Sequence, residues 1–167
     1  ISHVDKQIGR RLMALTEENL MEDTVILFCA DHGELLGDHH TYRKIQPYQG
    51  SIRIPMILYN AGLRGRQENL VELRDVLPTF LELAGAETPE CPDGVSMLRP
   101  HGREYLHGEH SGGDSGNHYI VTKPDKYCWF EESGREQYFD LEQDPQELHD
   151  RVRDPACRER VDALRSL

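Results

Sequence analysis

Apolar residues recur along the chain with two different periods, and each period predicts a different element. Near the start they follow a helical spacing, which predicts an amphipathic helix through Val4, Ile8, Leu12 and Leu15. A continuous apolar run at 24–30 predicts a buried strand. A second run at 54–59 predicts another strand, with a proline at its entry. Helices and strands in this part of the chain indicate an α/β fold.

A shorter amphipathic helix is predicted at 75–84. Its first turn tolerates Pro78, and Gly85 marks its end. The face expected to be buried consists of Leu77, Leu81 and Ala84.

The pattern changes after this helix. Pro and Gly become frequent at 88–100, which marks a long loop or a subdomain junction. Beyond it, three aromatic-rich runs predict a small antiparallel sheet, and they lie at 120–122, 126–130 and 137–141. Ser133-Gly134 is the predicted turn between the last two strands.

A last helical pattern, formed by Cys157, Val161 and Leu164, predicts a helix at the end of the chain. We therefore predict two units. Residues 1–100 belong to the carboxyl-terminal part of an α/β domain, and residues 101–167 form a small antiparallel sheet with a terminal helix.

Composition and charge limit the partners. The chain has 167 residues, of which 37% are apolar, enough for a core. Its formal net charge of −11 argues against binding to nucleic acid. No apolar stretch approaches the roughly eighteen residues of a membrane span, so no membrane partner is expected.

The start of the chain and its cysteines bear on its origin. Ile1-Ser2-His3 reads as the interior of a helix without an initiator Met, so we expect a fragment. The four cysteines are widely spaced and are expected to be free thiols. Free thiols favour a reducing compartment such as the cytoplasm, but an export signal could lie in a missing amino-terminal part, so the localisation stays open.

The richest chemistry follows the first predicted strand. The apolar run ends in Asp31-His32-Gly33, and the segment up to Lys44 gathers acids, imidazoles and a lysine. In open α/β sheets, ligands bind beyond the carboxyl ends of the strands. This mixture of side chains therefore predicts a metal ion facing an anion.

Several motifs in this order resemble the carboxyl-terminal half of a type I sulfatase of the alkaline phosphatase superfamily. They are Asp31-His32-Gly33, Gly37-Asp38-His39, Lys44, the run at 47–55, Asp75-Val76-Leu77-Pro78-Thr79, Leu83-Ala84-Gly85, Asp93-Gly94-Val95-Ser96 and the run at 137–148. The resemblance implies an alkaline-phosphatase-like α/β sandwich followed by a small antiparallel sheet and a terminal helix. It covers nearly the whole chain.

The resemblance also implies an activity, namely hydrolysis of sulfate esters, whether small molecules or sulfated sugars. Family members use a formylglycine nucleophile, made in a C/S-x-P/A-x-R motif, and a divalent cation that is usually calcium, with Mg, Mn or Zn as alternatives. This chain lacks the motif; Cys91-Pro92-Asp93-Gly94 is the nearest string, but it has no arginine. We expect the nucleophile and two further metal-binding aspartates in a missing amino-terminal half, before Ile1. The isolated chain is then expected to be inactive and prone to self-association.

Four residues match site positions of the family. Asp31 and His32 match a pair of metal ligands; carboxylate oxygen suits calcium, whereas imidazole suits zinc better. Lys44 matches the lysine that binds the sulfate and stabilises charge on the leaving oxygen. His39 resembles a histidine near the substrate, which could act as an acid or orient the ester, or it belongs to a polar loop.

Two alternatives stay open. The first is a phosphate or phosphonate ester hydrolase of the same superfamily, since tetrahedral anions use similar sites. The second is a non-catalytic truncated module.

Four other patterns are given structural interpretations. Arg53 is expected in an ion pair at a strand edge, and His107-Gly108-Glu109-His110 in a loop at the substrate entrance because two histidines alone do not make a metal site. The aromatic residues at 127–130 are expected to pack the sheet. Glu131-Glu132 and the acidic stretch at 140–144 are expected to be solvated.

Overall fold

The computed structural model describes residues 1–87, 89, 93–110 and 116–167. The helices of these ranges are α1 (Ser2–Glu17), α2 (Gln49–Ile52), α3 (Val76–Leu83) and α4 (Arg158–Arg165). The strands are β1 (Ile26–Cys29), β2 (Met56–Tyr59), β3 (Leu106–His110), β4 (Asn117–Val121), β5 (Asp125–Phe130) and β6 (Glu136–Asp140). Within the described ranges, no helix has the length and apolar character needed to cross a membrane.

Helix α1 forms where the apolar spacing predicts it. Ile8, Leu12 and Leu15 are half-buried, whereas Val4 at the first turn is 59% exposed. The helix therefore uses the predicted face over its last three turns.

Strands β1 and β2 form a two-stranded antiparallel sheet in which Phe28 lies opposite Ile57. Both predicted strands are confirmed, but the predicted burial of the first is wrong, because none of its residues is buried and Phe28 is 40% exposed. Ile57 on β2 is 59% exposed. Residues directly opposite each other share a face of the sheet. No described element covers this face, so these apolar side chains are exposed to solvent.

The predicted helix at 75–84 is confirmed as α3, with Gly85 in the left-handed conformation behind it (φ 64°). The predicted buried face is wrong: Leu77 is 55% exposed, and the buried positions are Asp75, Pro78 and Thr79. Polar atoms cause this choice, because the Asp75 carboxylate accepts the Val95 N–H (2.9 Å) and the Thr79 hydroxyl oxygen accepts the N–H of residue 97 (2.9 Å). Buried polar groups with partners hold the segment at 95–97 against the helix.

The second sheet is an antiparallel meander in the order β3-β4-β5-β6. Its last three strands are confirmed from the aromatic runs, with Gly134 in the connecting turn (φ 61°). The predicted loop at 107–110 is wrong, because these residues form β3 and pair with β4 over its whole length. The strand is polar and lies at the sheet edge, so its local sequence lacks the apolar alternation that identifies strands.

One face of this sheet packs on the terminal helix, which confirms the predicted helix. The core there consists of Ile120, Tyr127, Tyr138, Cys157, Val161 and Leu164. As expected, the aromatic residues pack the sheet, except that Trp129 is 38% exposed.

The other face meets the first part of the chain. Phe139 packs with Leu35 and Tyr48 in a second core cluster, and the Asn117 side chain donates to the Ile45 carbonyl (3.0 Å). The segment at 35–48 is therefore attached directly to the sheet. The division at residues 100 and 101 stays a prediction.

The cysteines lie in both parts of the structure. Cys29, Cys128 and Cys157 are free thiols, as expected. Cys91, together with residues 88, 90 and 92, lies outside the described residues. Burial raises the pKa of the Cys128 thiol to about 12, so this thiol is protonated and unreactive at neutral pH.

Candidate functional site

The loop that follows β1 folds back on itself and returns the chain to its starting point. Leu35 N–H donates to the Arg43 carbonyl (3.0 Å), and the Glu34 carboxylate accepts the Arg43 N–H. At the tip, Gly37 N–H donates to the Thr41 carbonyl (2.9 Å). These bonds pair the two arms of the loop. Consequently Lys44, which follows Arg43, lies beside the segment just before Glu34 that contains His32.

This loop has an unusual backbone. Leu36, His39, His40 and Arg43 all have positive φ, between 52° and 73°. For residues other than Gly, such a conformation costs about 1–3 kcal/mol and persists where the surroundings impose it, often at binding sites. The conformation must therefore be maintained by contacts outside the loop.

Three of the predicted site residues meet at the base of the loop. Nδ1 of the His32 ring lies 2.8 Å from the Gly33 carbonyl oxygen. Because a carbonyl oxygen can only accept, Nδ1 is the donor of this hydrogen bond. In the neutral ring this leaves a lone pair on Nε2. That nitrogen lies 3.3 Å from Asp31 Oδ2 and contacts the Lys44 ammonium. The structure thus brings Asp31, His32 and Lys44 to one point.

The Asp31–His32 pair fits a divalent cation. Two atoms that bind one ion at about 2.0–2.4 Å lie about 3–4 Å apart, and the measured separation is 3.3 Å. A backbone acceptor on the far nitrogen of a histidine is the usual arrangement around a metal ligand. The pair offers one oxygen and one nitrogen, fewer than the four to eight ligands of a complete site. No described residue joins the pair in a group of three ligands.

Helix α2 holds both ends of the loop. The Ser51 carbonyl accepts the Gly33 N–H (2.7 Å), while the Ser51 hydroxyl donates to the Lys44 carbonyl. The approach is so close that a Cβ on Gly33 would lie 2.0 Å from the Gly50 carbonyl oxygen. Gly33 therefore has to be glycine because backbone occupies the space of a side chain.

A buried ion pair supports α2 from the second sheet. The Lys126 ammonium, which is fully buried, pairs with Glu147 and donates to the Pro47 carbonyl. The other Glu147 oxygen accepts the Gln49 N–H (2.6 Å). Sequence reasoning missed this pair, because lysine and glutamate are seldom buried and nothing local distinguishes these two.

Asp31, His32 and Lys44 line a cleft of about 1170 Å³ between the two parts of the chain. Strand β3 forms part of its opposite wall. Arg53 also lines the cleft and is exposed. The expected strand-edge ion pair of Arg53 is not found among the described residues.

His39 lies elsewhere. Its ring stacks on the ring of Tyr48 with 3.7 Å between centroids, and it does not line the cleft. The Tyr48 hydroxyl donates to Gln137 (2.9 Å), and burial raises the pKa of its phenol. The substrate role of His39 stays a prediction.

The acidic segments expected to be solvated are exposed at Glu131, Glu132 and Glu142, and several of their carboxylates also have partners. Glu131 contacts the His118 ring (2.8 Å). The Asp140 carboxylate accepts the N–H groups of residues 142 and 143 (3.1 Å each), and Asp144 accepts those of residues 148 and 149 (3.0 and 2.7 Å). These carboxylates fix turns, which charge counting alone does not reveal.

The sequence model of the sulfatase family matches residues 1–86. This span includes β1, the folded-back loop with Asp31, His32 and Lys44, and α3. The chain belongs to the sulfatase family. Asp31, His32 and Lys44 therefore lie within the region that the family model matches.

Known relatives agree. The arylsulfatase of Clostridium perfringens is 44% identical over 179 aligned residues, which cover 100% of this chain and 37% of that protein. The structure of BT4656 in complex with its substrate D-glucosamine-2-N,6-O-disulfate superposes with a TM-score of 0.85 at 23% identity and covers 98% of this chain and 37% of its own. Phosphonate monoester hydrolase SpPMH from Silicibacter pomeroyi gives a TM-score of 0.85 at 26% identity, with 98% and 37% covered.

The alkaline-phosphatase-like fold expected from the motifs is thereby confirmed. The chain spans little more than a third of the length of each of these relatives.

Proposed function

We propose that this chain supplies part of the metal-binding and sulfate-binding site of a sulfatase that acts on aryl sulfates or sulfated sugars. The observation that carries the proposal is the meeting of three side chains: His32 Nε2 lies 3.3 Å from Asp31 Oδ2 and contacts the Lys44 ammonium. A cation-binding pair beside a lysine is suited to a tetrahedral anion.

Each residue has a distinct role. The Asp31 carboxylate and His32 Nε2 would hold a divalent cation, calcium in the first place, with Mg, Mn or Zn as alternatives. A bound divalent cation acts as a Lewis acid on sulfate oxygens. Lys44 is exposed, so its ammonium can turn toward the anion and neutralise charge on the leaving oxygen.

The nucleophile is not supplied by these residues. The 167 residues contain no C/S-x-P/A-x-R motif in which formylglycine could form. We therefore propose that the chain alone hydrolyses no aryl sulfate. Release of 4-nitrophenol from 4-nitrophenyl sulfate by the purified chain, abolished by Asp31→Ala, would overturn this part of the proposal.

A chimera tests the sulfatase role directly. The chain replaces the aligned segment of the Clostridium perfringens arylsulfatase, and 4-nitrophenyl sulfate hydrolysis is measured. We expect an active chimera that loses activity by about a hundredfold or more with Asp31→Ala or with Lys44→Met, because each removes charge stabilisation. Lys6→Met is the matched control, since Lys6 is exposed on α1 and does not line the cleft. A folded chimera in which Lys44→Met keeps full activity would contradict the role of Lys44.

The second candidate is a phosphonate monoester hydrolase, favoured by the likeness to SpPMH. The same chimera decides between the two when it is given a 4-nitrophenyl phosphonate monoester. A higher kcat/KM on the phosphonate than on the sulfate ester would support the second candidate and displace the first.

A further inference from the structure

Strands β3 and β4 gather three potential metal ligands on one face of the second sheet. His107 and Glu109 are two residues apart on β3, so their side chains point to the same face. Glu109 lies directly opposite His118 on β4, which adds a third side chain to that face. Their ligand atoms all lie within 4.8 Å of one another. In the described part of the chain this is the one such group.

One ligand pair of this group lies near the separation that a single ion requires. His118 Nδ1 lies 3.7 Å from Glu109 Oε2, and two ligands at about 2.0–2.2 Å from a tetrahedral zinc ion lie about 3.3–3.6 Å apart. The ligand atoms of the whole group lie within 4.8 Å of one another, so binding requires side-chain shifts of up to about 1 Å. The rings of His107 and His118 are nearly parallel (4°), with 5.9 Å between centroids, so one ring has to tilt for the in-plane lone pairs of both to point at the same ion.

An outer carboxylate orients the third ligand. His118 Nε2 donates to Glu131 Oε1 (2.8 Å), which leaves Nδ1 as the nitrogen that faces Glu109. A carboxylate on the far nitrogen fixes the tautomer and raises the basicity of a metal-binding histidine. Glu131 is held beside β4 because its own N–H donates to the Gly116 carbonyl (3.0 Å).

We propose that His107, Glu109 and His118 bind a divalent transition-metal cation, with zinc as the best match, at a site separate from Asp31 and His32. Two imidazoles and one carboxylate are a ligand set of zinc sites, whereas calcium prefers oxygen alone. Such a three-ligand site leaves a fourth position for water or an anion. His118 shares its face of the sheet with Ile120, which packs on the terminal helix, so that position lies on the side of the sheet away from Leu35 and Tyr48.

A purely electrostatic explanation of the group makes a different prediction. An imidazolium at His118 would be paired by Glu109 and Glu131 on its two nitrogens, and it would need no contribution from His107. Zinc binding that depends on His107 therefore separates the metal site from the ion pair. His107 is exposed, so His107→Gln is not expected to disturb folding.

The experiment is a calorimetric titration with ZnCl₂, carried out on the Asp31→Ala chain so that the first site does not contribute. We expect one zinc per chain, unaffected by millimolar calcium. His107→Gln and His118→Gln should each weaken binding by about a hundredfold, and Glu131→Gln by about 10- to 100-fold. His110→Gln is the matched control because His110 lies on the same strand but on the opposite face.

The result that overturns the proposal is equally plain. No zinc binding, or binding that His107→Gln leaves unchanged, would eliminate the site. An equal loss with His110→Gln would mean that zinc binds surface histidines without a defined site. Cobalt(II) gives an independent readout: intense visible absorption indicates four-coordinate geometry and should disappear in His118→Gln.

Discussion

The buried pair of Lys126 and Glu147 makes the strongest prediction about stability. Lys126→Met removes the charge while largely keeping the length of the side chain. It leaves the Glu147 carboxylate buried, and among the described residues the Gln49 N–H (2.6 Å) is then its one remaining hydrogen-bond donor. Breaking a buried ion pair by removing one member costs about 3–5 kcal/mol. We expect Lys126→Met to lower the free energy of unfolding by this amount.

Removing the second charge should restore part of the loss. In Lys126→Met/Glu147→Gln neither member of this pair is charged, and the glutamine oxygen can still accept the Gln49 N–H. Replacing both charges with neutral groups is often close to neutral. We therefore expect the free energy of unfolding of the double variant to exceed that of the single variant by about 2 kcal/mol or more. Coupling of this size is seen for residues in contact.

Urea unfolding followed by circular dichroism measures these differences. Lys123→Met is the matched control, since Lys123 is exposed and its change should stay within about 0.5 kcal/mol. A loss below about 1 kcal/mol for Lys126→Met would refute the reasoning. A double variant that is less stable than Lys126→Met would refute it as well, because the buried charge would then not be the cause.

Two further predictions concern close packing and acid. Gly33→Ala should destabilise the fold by about 3 kcal/mol or more, because its Cβ would lie 2.0 Å from the Gly50 oxygen. Gly9→Ala is the control, since it faces open space in α1 and should stabilise the fold slightly. Similar changes for the two variants in urea unfolding would contradict this prediction. Burial alone would raise the pKa of Asp125, but hydrogen bonds, chiefly from Arg160, hold it below its usual value. Its stabilisation is therefore complete above about pH 4 and is lost as the pH falls through the lower folded pKa. Asp125→Asn should cost about 2 kcal/mol at pH 7 and progressively less toward pH 2; a difference that grows on acidification would count against it.

The choice of Asp31, His32 and Lys44 as site candidates was possible from the sequence because they are close in the chain and each follows a recognisable signal. An apolar run ending in Asp31-His32-Gly33 predicts polar chemistry at a strand end, and the family motifs add Lys44. The contact between Lys44 and His32 was not predictable, since it depends on backbone bonds such as that from Leu35 to Arg43 and on several positive φ values.

Polar burial accounts for the wrong buried face of α3. Asp75 and Thr79 lie inside the fold because backbone N–H groups of the segment at 95–97 need acceptors there. A hydrophobic pattern assigns both to the surface and selects Leu77, which is exposed. Patterns along one element cannot reveal a requirement that arises in a segment about twenty residues away.

The same limit explains why the sequence at 107–110 predicts a loop and not a metal site. Two histidines around a glycine and a glutamate offer too few ligands when only the local sequence is considered. Pairing of β3 with β4 places His118 opposite Glu109 and adds the missing ligand from the next strand. A metal site assembled across a sheet follows from strand register rather than from sequence spacing, so residues that appear incomplete on one strand have to be judged together with their cross-strand neighbours.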